Sequence, residues 1–159
     1  MNFRIGIGYD VHRLEEGLPL VLGGVSLSHT RGSVGHSDGD VLIHAICDAM
    51  LGALALGDIG THFPDTDKEF KDIDSKILLE KTINMIRFQG YEISNMDTTV
   101  CLQKPKISEH IPEMIKVLSA VLGIDYHQLS VKATTTEKLG FVGDESGVSA
   151  YAVVLLEKI

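Results

Sequence analysis

Tryptophan is absent from this chain, cysteine occurs only twice, and acidic residues outnumber basic ones. Cys47 and Cys101 form no CxxC pair and stand among apolar residues, which favours buried, reduced thiols in a reducing compartment over a disulfide framework or a thiolate metal site. The net charge of −8 argues against a general nucleic-acid binder, because such a protein needs a basic face. It leaves room for a phosphorylated small ligand held by a metal ion and a few lysines.

Long apolar runs are missing as well. No segment approaches the roughly 18 consecutive apolar residues that mark a membrane-spanning helix. The start of the sequence lacks the charged region and cleavage site of an export signal, so we expect a cytoplasmic protein, or a plastid-type organellar one if a transit peptide has been removed. A length of 159 residues suits one domain with a substantial core, and no linker, repeat or low-complexity tract divides residues 1–159.

Alternation and helical periodicity predict a single α/β domain. The strand signals cover residues 2–9, two short strands turning at Gly23–Gly24, and residues 91–103, 129–135 and 149–156. The helix signals cover about 40–56 ended by Gly57, 74–89 closed by Gly90, and an apolar stripe from Ile111 to Leu122, with Ser108 as candidate N-cap and Gly123 as stop. The passage from about 95 to 135 predicts a parallel strand–helix–strand crossover.

The densest run of ionisable residues is HSDGDVLIHAICD at 36–48. Along a helix, Asp40 and His44 lie one turn apart on the same face. At the end of the first predicted strand, Asp10 and His12 are two residues apart, so they project to the same side. Asp10, His12 and His44 therefore predict a three-ligand metal site with an open fourth position, as a catalytic zinc uses. A salt-bridged Asp10–His12 pair and a hydrogen-bonded core His44 are the alternatives.

Three further motifs each allow two interpretations. The acidic loop 58–67 is either a solvated loop or a lid whose carboxylates bind ligand hydroxyls. Residues 103–106, Gln-Lys-Pro-Lys, form either a solvated turn or a phosphate contact helped by the next helix N-terminus. The threonine-rich segment 132–141 is either an ordinary strand or a site for phosphate and Mg²⁺. Gly6-Ile-Gly8 lacks the third glycine of a dinucleotide-binding motif, since Val11 stands there, so we expect it to allow close strand packing.

Together, these motifs resemble the 2-C-methyl-D-erythritol 2,4-cyclodiphosphate synthase family of the non-mevalonate route to isoprenoids, and the match covers essentially the whole chain. The matching motifs, in chain order, are Asp10-Val-His12, His36-Ser-Asp-Gly-Asp40 with His44, Gly57-Asp-Ile-Gly60, Phe63-Pro-Asp-Thr-Asp67, Lys106 and Lys132-Ala-Thr-Thr-Thr-Glu-Lys-Leu-Gly-Phe141. The resemblance implies an α+β fold with a mixed four- to five-stranded sheet and helices on one face, assembled as a homotrimer.

The resemblance also implies the reaction. Members of the family convert 4-diphosphocytidyl-2-C-methyl-D-erythritol 2-phosphate into the 2,4-cyclodiphosphate and CMP, a phosphorus–oxygen lyase activity in which the 2-phosphate attacks the β-phosphorus. The implied cofactors are Zn²⁺, or another divalent transition metal, on Asp10, His12 and His44, and Mg²⁺ or Mn²⁺ on Glu137 between the α- and β-phosphates. Two cations on a diphosphate explain how an acidic protein binds a multiply anionic substrate.

Residue roles carried over from the resemblance divide by portion of the substrate. His36 and Thr135 are implied as catalytic residues that stabilise the transition state, and Asp48 as an outer partner of a ligand histidine. The implied substrate contacts are Asp10, Val11, His12, His36 and Ser37 near the 2-phosphate and metal, Asp58, Ile59, Gly60, Phe63, Pro64, Asp65, Thr66 and Asp67 around the methylerythritol, Leu102, Gln103, Lys104, Pro105, Lys106, Ile107 and Ser108 around the cytosine, and Thr134, Thr135, Thr136, Glu137 and Phe141.

The implied trimer completes the nucleotide pocket with a neighbouring subunit, so the threonine segment and the zinc cluster need not meet within one chain. A hydrophobic channel on the threefold axis is also implied, with Tyr9 and Phe141 as contributors. The chain departs from the family after Phe141, where many members read Thr-Gly-Arg-Gly-Glu-Gly and this sequence has Val142-Gly-Asp-Glu-Ser-Gly147. Asp144 replaces the arginine and cannot make its bidentate phosphate contact, which puts any anion-binding role of that position in doubt.

Two other functions are compatible with the sequence. A zinc hydrolase would use Asp10, His12 and His44 to hold an activated water and would give a linear monophosphate product. A protein that only binds cytidine phosphates is the non-enzymic alternative, although it would not need an open metal site. The mass of the product separates the hydrolase from the cyclising enzyme, and binding without turnover would indicate the third function.

Overall fold

The fold alternates strands and helices around one mixed sheet. We describe residues 2–159 of a computed structural model. The strands are β1 (Phe3–Glu16), β2 (Leu20–Leu22), β3 (Val25–Leu27), β4 (Arg31–Ser33), β5 (Tyr91–Cys101), β6 (Leu129–Thr134) and β7 (Gly147–Lys158). The helices are α1 (Val41–Ala53), α2 (Ile59–His62), α3 (Ser75–Phe88), α4 (Ile111–Leu122) and α5 (Gly140–Gly143). Within the described residues we find no helix with the length and apolar character needed to cross a bilayer.

The sheet has five strands in the order β4-β1-β7-β5-β6, and β2 pairs with β3 in a separate hairpin that turns at Gly23–Gly24 as predicted. β5 and β6 run parallel, with α4 crossing between them, whereas β1 is antiparallel to β4 and β7, and β5 to β7. The predicted parallel crossover is confirmed. The chain is a mixed α+β single domain with a five-stranded sheet.

Helix α1 is the central element of the core, and most of its residues are fully buried against β1 and β7. The two glycines of β1 allow this close packing. A Cβ atom on Gly6 would overlap the carbonyl oxygen of Ala49, and one on Gly8 would overlap that of Ala45. The expectation that these glycines allow close packing is confirmed, and the helix lies directly on the strand that carries Asp10 and His12.

The opposite face of the sheet is apolar and exposed in the single chain. Ile5 and Ile7 of β1 are 71% and 70% exposed. Beside them Tyr9 packs on Tyr151 of β7, with ring centroids 4.8 Å apart, and Val153 is exposed as well. Helices therefore cover one face only, as predicted. Contiguous apolar surface of this kind is typical of an interaction surface.

The first strand is longer than the predicted 2–9. Pairing with β7 continues to Arg13 opposite Gly147, and β4 then pairs with the end of β1 as far as Glu16. Asp10 and His12 consequently lie inside the strand and not at its end. Long-range pairing extends the strand here through a polar stretch in which local alternation is weak. The side-chain period of two still places both residues on the same side.

Two predicted helix boundaries were wrong. Helix α1 ends at Ala53 and not near Gly57, because Ala55 adopts a left-handed φ of 55° and the N–H of Leu56 bonds to the carbonyl of Leu51. These bonds close the helix as a Schellman motif without needing the glycine. Ser108 begins a short 3₁₀ turn and makes no cap hydrogen bond, so α4 starts three residues later, just before Pro112. Gly123 ends α4 with φ 65°, as predicted.

Candidate metal centre

Three side chains from two elements meet where α1 crosses β1. Asp10 Oδ2 lies 2.8 Å from His12 Nε2 and 3.0 Å from His44 Nδ1, and the two histidine nitrogens are 3.1 Å apart. The structure therefore brings the three predicted metal ligands together. Their side chains are 29%, 15% and 12% exposed in the same order, so the group is largely buried yet open to solvent on one side.

Asp40 fixes the start of the helix that carries His44. Its fully buried carboxylate caps α1 by accepting the N–H of Ile43 at 3.0 Å, and it also accepts the N–H groups of Gly23 at 3.0 Å and Gly24 at 2.7 Å. Burial raises the pKa of Asp40 to about 6, against the lowering effect of the hydrogen bonds from Gly24 and Ile43. Asp40 therefore ties the β2–β3 hairpin to α1, and its role is in the helix start and not in the metal centre.

Hydrogen bonds behind the two histidines orient their rings. His12 Nδ1 lies 2.8 Å from the carbonyl oxygen of Val34, which can only accept, so Nδ1 carries the proton and Nε2 is free to bind a metal ion. His44 directs Nδ1, and not Nε2, at the centre. Its Nε2 lies 3.0 Å from Ser75 Oγ and 3.1 Å from Ser37 Oγ, and its Nδ1 faces the carboxylate. Each ring thus has one nitrogen held by the protein and one directed at the centre.

Asp48 does not take the predicted place behind His44. Its Oδ1 accepts the N–H of Ile59 at 2.7 Å and so holds the first residue of α2. The hydroxyls of Ser75 and Ser37 occupy the position behind His44 instead. One helical turn separates Asp48 from His44, and that turn directs the carboxylate to the loop that begins the next helix.

The charges at the centre reinforce one another. Burial alone would raise the pKa of Asp10, but the hydrogen bonds and charges of His12 and His44 outweigh it and lower the pKa from 3.8 to about 2. For His12, burial lowers the pKa, and the hydrogen bond and charge of Asp10 outweigh this and raise the pKa above 6.5. Asp10 is therefore ionised across the physiological range. A cation that binds here displaces histidine protons.

The donor set fits a divalent metal ion. Two imidazole nitrogens and one carboxylate oxygen are ligand types that zinc accepts. Their separations of 2.8–3.1 Å are close to the spacing of about 3.3 Å between ligands of a tetrahedral zinc with bonds of roughly 2.0–2.1 Å. Asp10, His12 and His44 are the one such group of three found among the described residues.

A cavity of 360 Å³ opens beside these ligands. Residues from three predicted motifs line it together with His12 and His44, namely His36, Ser37, Ile59, Gly60, Phe63, Pro64 and Asp65, and Phe70, Ile73 and Leu78 complete the wall. Asp67 reaches the same region through its carbonyl oxygen, 3.3 Å from His36 Nε2. Thr66 is exposed, and Asp58 caps α2 by accepting the N–H of Thr61 at 2.8 Å.

A second cavity, of 170 Å³, lies at the carboxyl ends of the parallel strands β5 and β6. Its lining is Leu102, Gln103, Pro105, Lys106, Ile107, Ser108, Ala133, Thr134 and Thr135, and it shares no residue with the first cavity. Lys104 is not part of this lining, and its Nζ pairs with Glu145 Oε1 at 3.1 Å. The residues predicted to surround the cytosine therefore lie mostly in one place, apart from the candidate metal ligands.

The threonine segment turns sharply after β6. Glu137 and Lys138 adopt left-handed φ values of 53° and 64°. The Glu137 N–H donates to Thr135 Oγ1 at 3.2 Å, and the Lys138 N–H donates to Gln103 Oε1 at 3.2 Å. The turn is thereby tied to the second cavity, and it leaves the Glu137 carboxylate exposed beside the Thr135 hydroxyl, 3.5 Å away.

Phe141 lines neither of these cavities. It borders a third one, of 570 Å³, with residues 11–16 of β1, Arg31, Ser146 and Gly147. Asp144 closes α5, and the adjacent Glu145 accepts a hydrogen bond from Arg31 at 2.8 Å through its carbonyl oxygen. Asp144 and Glu145 make this segment acidic.

Sequence reasoning missed two groups behind the candidate ligands. Ser75 follows Asp74 at the start of a predicted helix, and this pattern indicated only a helix start. The Val34 carbonyl belongs to the backbone, which carries no residue-type signal. Asp38 was interpreted as part of the helix start, yet its carboxylate accepts hydrogen bonds from Ser75 at 2.5 and 3.0 Å.

The fold and the donor set define a mixed α+β protein with a candidate divalent-metal centre. A profile of the YgbB family matches residues 3–157. The 2-C-methyl-D-erythritol 2,4-cyclodiphosphate synthase of Porphyromonas gingivalis is 60% identical over 154 residues, which cover 97% of this chain and 95% of that protein. The chain belongs to the YgbB family, and the resemblance predicted from its motifs is confirmed.

Solved structures agree with this membership. The bifunctional IspDF from Campylobacter jejuni matches with a TM-score of 0.95 and 43% identity over 99% of this chain, which spans 42% of that longer protein. The IspF of Plasmodium falciparum, solved as a CDP complex, matches with a TM-score of 0.87 and 41% identity, covering 99% of this chain and 97% of that one.

Proposed function

We propose that residues 1–159 form one cyclodiphosphate synthase domain, a phosphorus–oxygen lyase of the non-mevalonate isoprenoid pathway. It would convert 4-diphosphocytidyl-2-C-methyl-D-erythritol 2-phosphate into 2-C-methyl-D-erythritol 2,4-cyclodiphosphate and CMP. The observation that carries the proposal is the triangle of Asp10, His12 and His44 beside a cavity, in a chain of this family. The CDP complex of a relative supports a cytidine diphosphate substrate.

Two groups of residues would hold the cofactors. Asp10, His12 and His44 suit Zn²⁺ or another divalent transition metal, and the exposed Glu137 carboxylate suits Mg²⁺ or Mn²⁺ shared with substrate phosphates. Bound there, the cations would polarise the β-phosphate and offset the charge of the diphosphate. This compensation matters because the chain itself carries a net charge of −8.

The reaction needs no nucleophile from the protein, because the 2-phosphate of the substrate attacks its own β-phosphorus. The chain has to fold the substrate so that the two groups meet, and to stabilise charge on the equatorial oxygens. His36 lines the first cavity and Thr135 the second, so each would stabilise the transferring phosphoryl group from its own side. Ser37, which lies beside His36, would contact the attacking phosphate.

Most of the remaining predicted contacts fall into the same two groups. We assign the wall of the first cavity and its neighbours to the methylerythritol, that is Asp58, Ile59, Gly60, Phe63, Pro64, Asp65, Thr66 and Asp67. Val11 stays grouped with Asp10 and His12 as a proposed contact near the 2-phosphate and the metal. We assign the second cavity and its turn to the cytidine, that is Leu102, Gln103, Lys104, Pro105, Lys106, Ile107, Ser108, Thr134 and Thr136. Phe141 borders the third cavity and is proposed as a separate substrate contact. Asp144 receives no anion-binding role, since a carboxylate repels phosphate.

Two observations support a homotrimer with active sites between subunits. The metal-side cavity and the cytidine-side cavity share no residue, although one substrate has to contact both. The face of β1 and β7 that helices leave uncovered is apolar, with Ile5, Ile7 and Tyr9 exposed. Packing these faces around a threefold axis would bury them and join a cavity of each kind from neighbouring chains. We place the enzyme in the cytoplasm, without nucleic-acid or membrane partners.

The test is turnover with product analysis. Zinc-loaded protein with Mg²⁺ should release CMP from the diphosphocytidyl substrate and give a cyclic product. His44→Ala should lose about one zinc per chain and the release of CMP, because a metal ligand is gone. His127→Ala, which changes an exposed histidine packed against the Tyr126 ring, should keep both. A linear product heavier by one water would indicate the hydrolase, and CDP binding without turnover would indicate a binding protein.

A further inference from the structure

Ser75 and Asp38 form a hydrogen-bonded chain behind His44. Ser75 is fully buried at the first position of α3. Its Oγ lies 2.5 Å from Asp38 Oδ1 and 3.0 Å from His44 Nε2, and its backbone N–H donates to Asp38 Oδ2 at 3.0 Å. The Asp40 N–H adds a further bond to Asp38 Oδ1 at 3.1 Å. Three donors thus fix the carboxylate, and the serine connects it to the imidazole.

This arrangement decides which nitrogen of His44 carries a proton. A carboxylate only accepts hydrogen bonds, so the single hydroxyl proton of Ser75 is donated to Asp38. The serine oxygen then offers only lone pairs to His44, and Nε2 has to be the donor. Nδ1 faces the carboxylate of Asp10 at 3.0 Å, which also accepts, so a cation that binds at the centre takes the place of the proton between them. With Nε2 kept as the donor, the lone pair of the neutral ring is then on Nδ1, the nitrogen directed at the metal.

Ser37 does not set this direction by itself. Its Oγ also lies 3.1 Å from His44 Nε2, but its contact with Ser75 Oγ at 3.4 Å leaves either oxygen as the possible donor. For His12, the carbonyl of Val34 fixes the proton on Nδ1. This hydrogen bond cannot reverse, because a carbonyl has no proton to donate. For His44 the direction depends on side chains, and in particular on the carboxylate of Asp38.

We propose that Asp38 and Ser75 are positioning residues that hold His44 in the tautomer whose Nδ1 binds a divalent metal ion. The inference rests on the metal site of the proposed function and adds two residues that are outside the ligand triangle and outside the lining of the adjoining cavity. Partners of this kind orient a ligand imidazole and make it a stronger ligand.

Zinc affinity, measured by competition with a chelator, tests the inference. Ser75→Ala removes the acceptor whose direction Asp38 fixes and leaves only Ser37 Oγ beside His44 Nε2, so it should weaken zinc binding by about 10–100-fold. Asp38→Asn should also weaken it, because the Ser75 proton is then free to turn toward His44. Ser119→Ala is the matched control, since it removes another buried helix hydroxyl, one that bonds to the Lys116 carbonyl far from the site, and it should bind zinc like the wild type.

A second measurement reports the proton itself. In ¹⁵N-histidine spectra of zinc-loaded protein, His44 Nε2 should carry a slowly exchanging proton in the wild type and in Ser119→Ala. In Ser75→Ala this proton should exchange rapidly with water. If Ser75→Ala does not fold, Asp38→Asn decides the question, because it keeps the shape of the side chain.

The inference is overturned if Ser75→Ala or Asp38→Asn binds zinc as the wild type does, or if Ser119→Ala weakens binding equally. Wild-type protein that binds zinc and releases CMP, beside unaffected variants, would contradict the inference and leave the proposed function standing. Wild-type protein that binds no zinc would contradict both.

Discussion

Gly8 of β1 lies so close to the carbonyl oxygen of Ala45 in α1 that no Cβ atom fits between them. The neighbouring positions carry candidate ligands, Asp10 two residues along the strand and His44 immediately before Ala45 on the helix. The approach of strand and helix at this glycine therefore sets the separation of the ligand atoms. A packing contact of the core is in this way part of the construction of the metal centre.

Gly8→Ala tests that relationship. The added methyl group would overlap backbone, which cannot move aside as a side chain can, so we expect a loss of about 1–3 kcal/mol in the free energy of unfolding and weaker zinc binding. Gly52→Ala on the same helix is the control. Its Cβ would meet only the Ile7 carbonyl, at 3.8 Å, and it should raise stability by about 0.5–1 kcal/mol. Urea unfolding and zinc titration measure both; unchanged zinc affinity in Gly8→Ala would contradict the link.

Asp40→Ala should be far more destabilising than loss of an ordinary helix cap. The change leaves three buried or partly buried N–H groups without their acceptor, and each costs about 1–3 kcal/mol, so we expect a loss of at least about 3 kcal/mol. Asp74→Ala removes the exposed cap of α3, which accepts from Lys76 at 2.9 Å, and should cost about 1 kcal/mol. Equal losses in denaturant unfolding would show that Asp40 acts as a cap alone.

Acid stability of the metal-free protein should depend on Asp10. Its pKa is 3.8 in the unfolded chain and about 2 in the folded one, so the folded state binds fewer protons there and stability falls as the pH drops from about 4 to 2. The contribution that is lost is about 2 kcal/mol at most. Asp10→Asn should flatten this part of the profile. Unfolding free energies of the two proteins that fall in parallel over this range would contradict the assignment.

At higher pH, the free energy of unfolding of the metal-free protein should change with pH in the opposite direction, because of His12. Asp10 raises the pKa of His12 above 6.5, so its stabilising effect is complete below pH 6.5 and is lost as the pH rises through the folded value. Asp10→Asn removes the partner and should remove this decline as well. Zinc binding, which needs the neutral ring, should strengthen over the same range and release protons. Titration calorimetry in buffers of different ionisation enthalpy counts those protons.

Ile7→Glu tests the proposed homotrimer. Ile7 is 70% exposed on the uncovered face of the sheet, and a charge there would be buried without a partner in an assembled trimer, which is strongly unfavourable. We expect light scattering to show a monomer and CMP release to be lost with the shared sites. Phe88→Glu changes a residue that is 88% exposed on α3 and should stay trimeric. A monomeric wild-type protein that is fully active would contradict the assembly.

Local spacing predicted the parts of the site that depend on local geometry. The two-residue separation of Asp10 and His12 sufficed to place both on one side of β1, and a helix starting near Asp40 sufficed to place His44. The parallel crossover between β5 and β6 also follows from element order and handedness. These features survive errors of several residues in element ends, since period and order are unaffected.

The rest depends on contacts that no local pattern contains. Ser75 is 31 residues from His44 in sequence, and the two meet only because the start of α3 packs against α1. The extension of β1 to Glu16 needs β7 and β4 as partners. The end of α1 at Ala53 depends on a left-handed alanine at position 55, which sequence rules reserve for glycine. Each is decided by tertiary structure.

The absence of any shared residue between the two cavities has a genetic consequence. Under the proposed assembly, a chain with His44→Ala still supplies an intact cytidine-side cavity. A chain with Thr135→Ala still supplies an intact metal-side cavity. Mixed trimers of the two inactive variants would then regain activity at the sites where two intact cavities meet. In an equal random mixture these are about a quarter of all sites. Under that assembly, a chain with a damaged metal side is complemented by a neighbour whose metal side is intact, and each active site would belong to a pair of neighbouring chains.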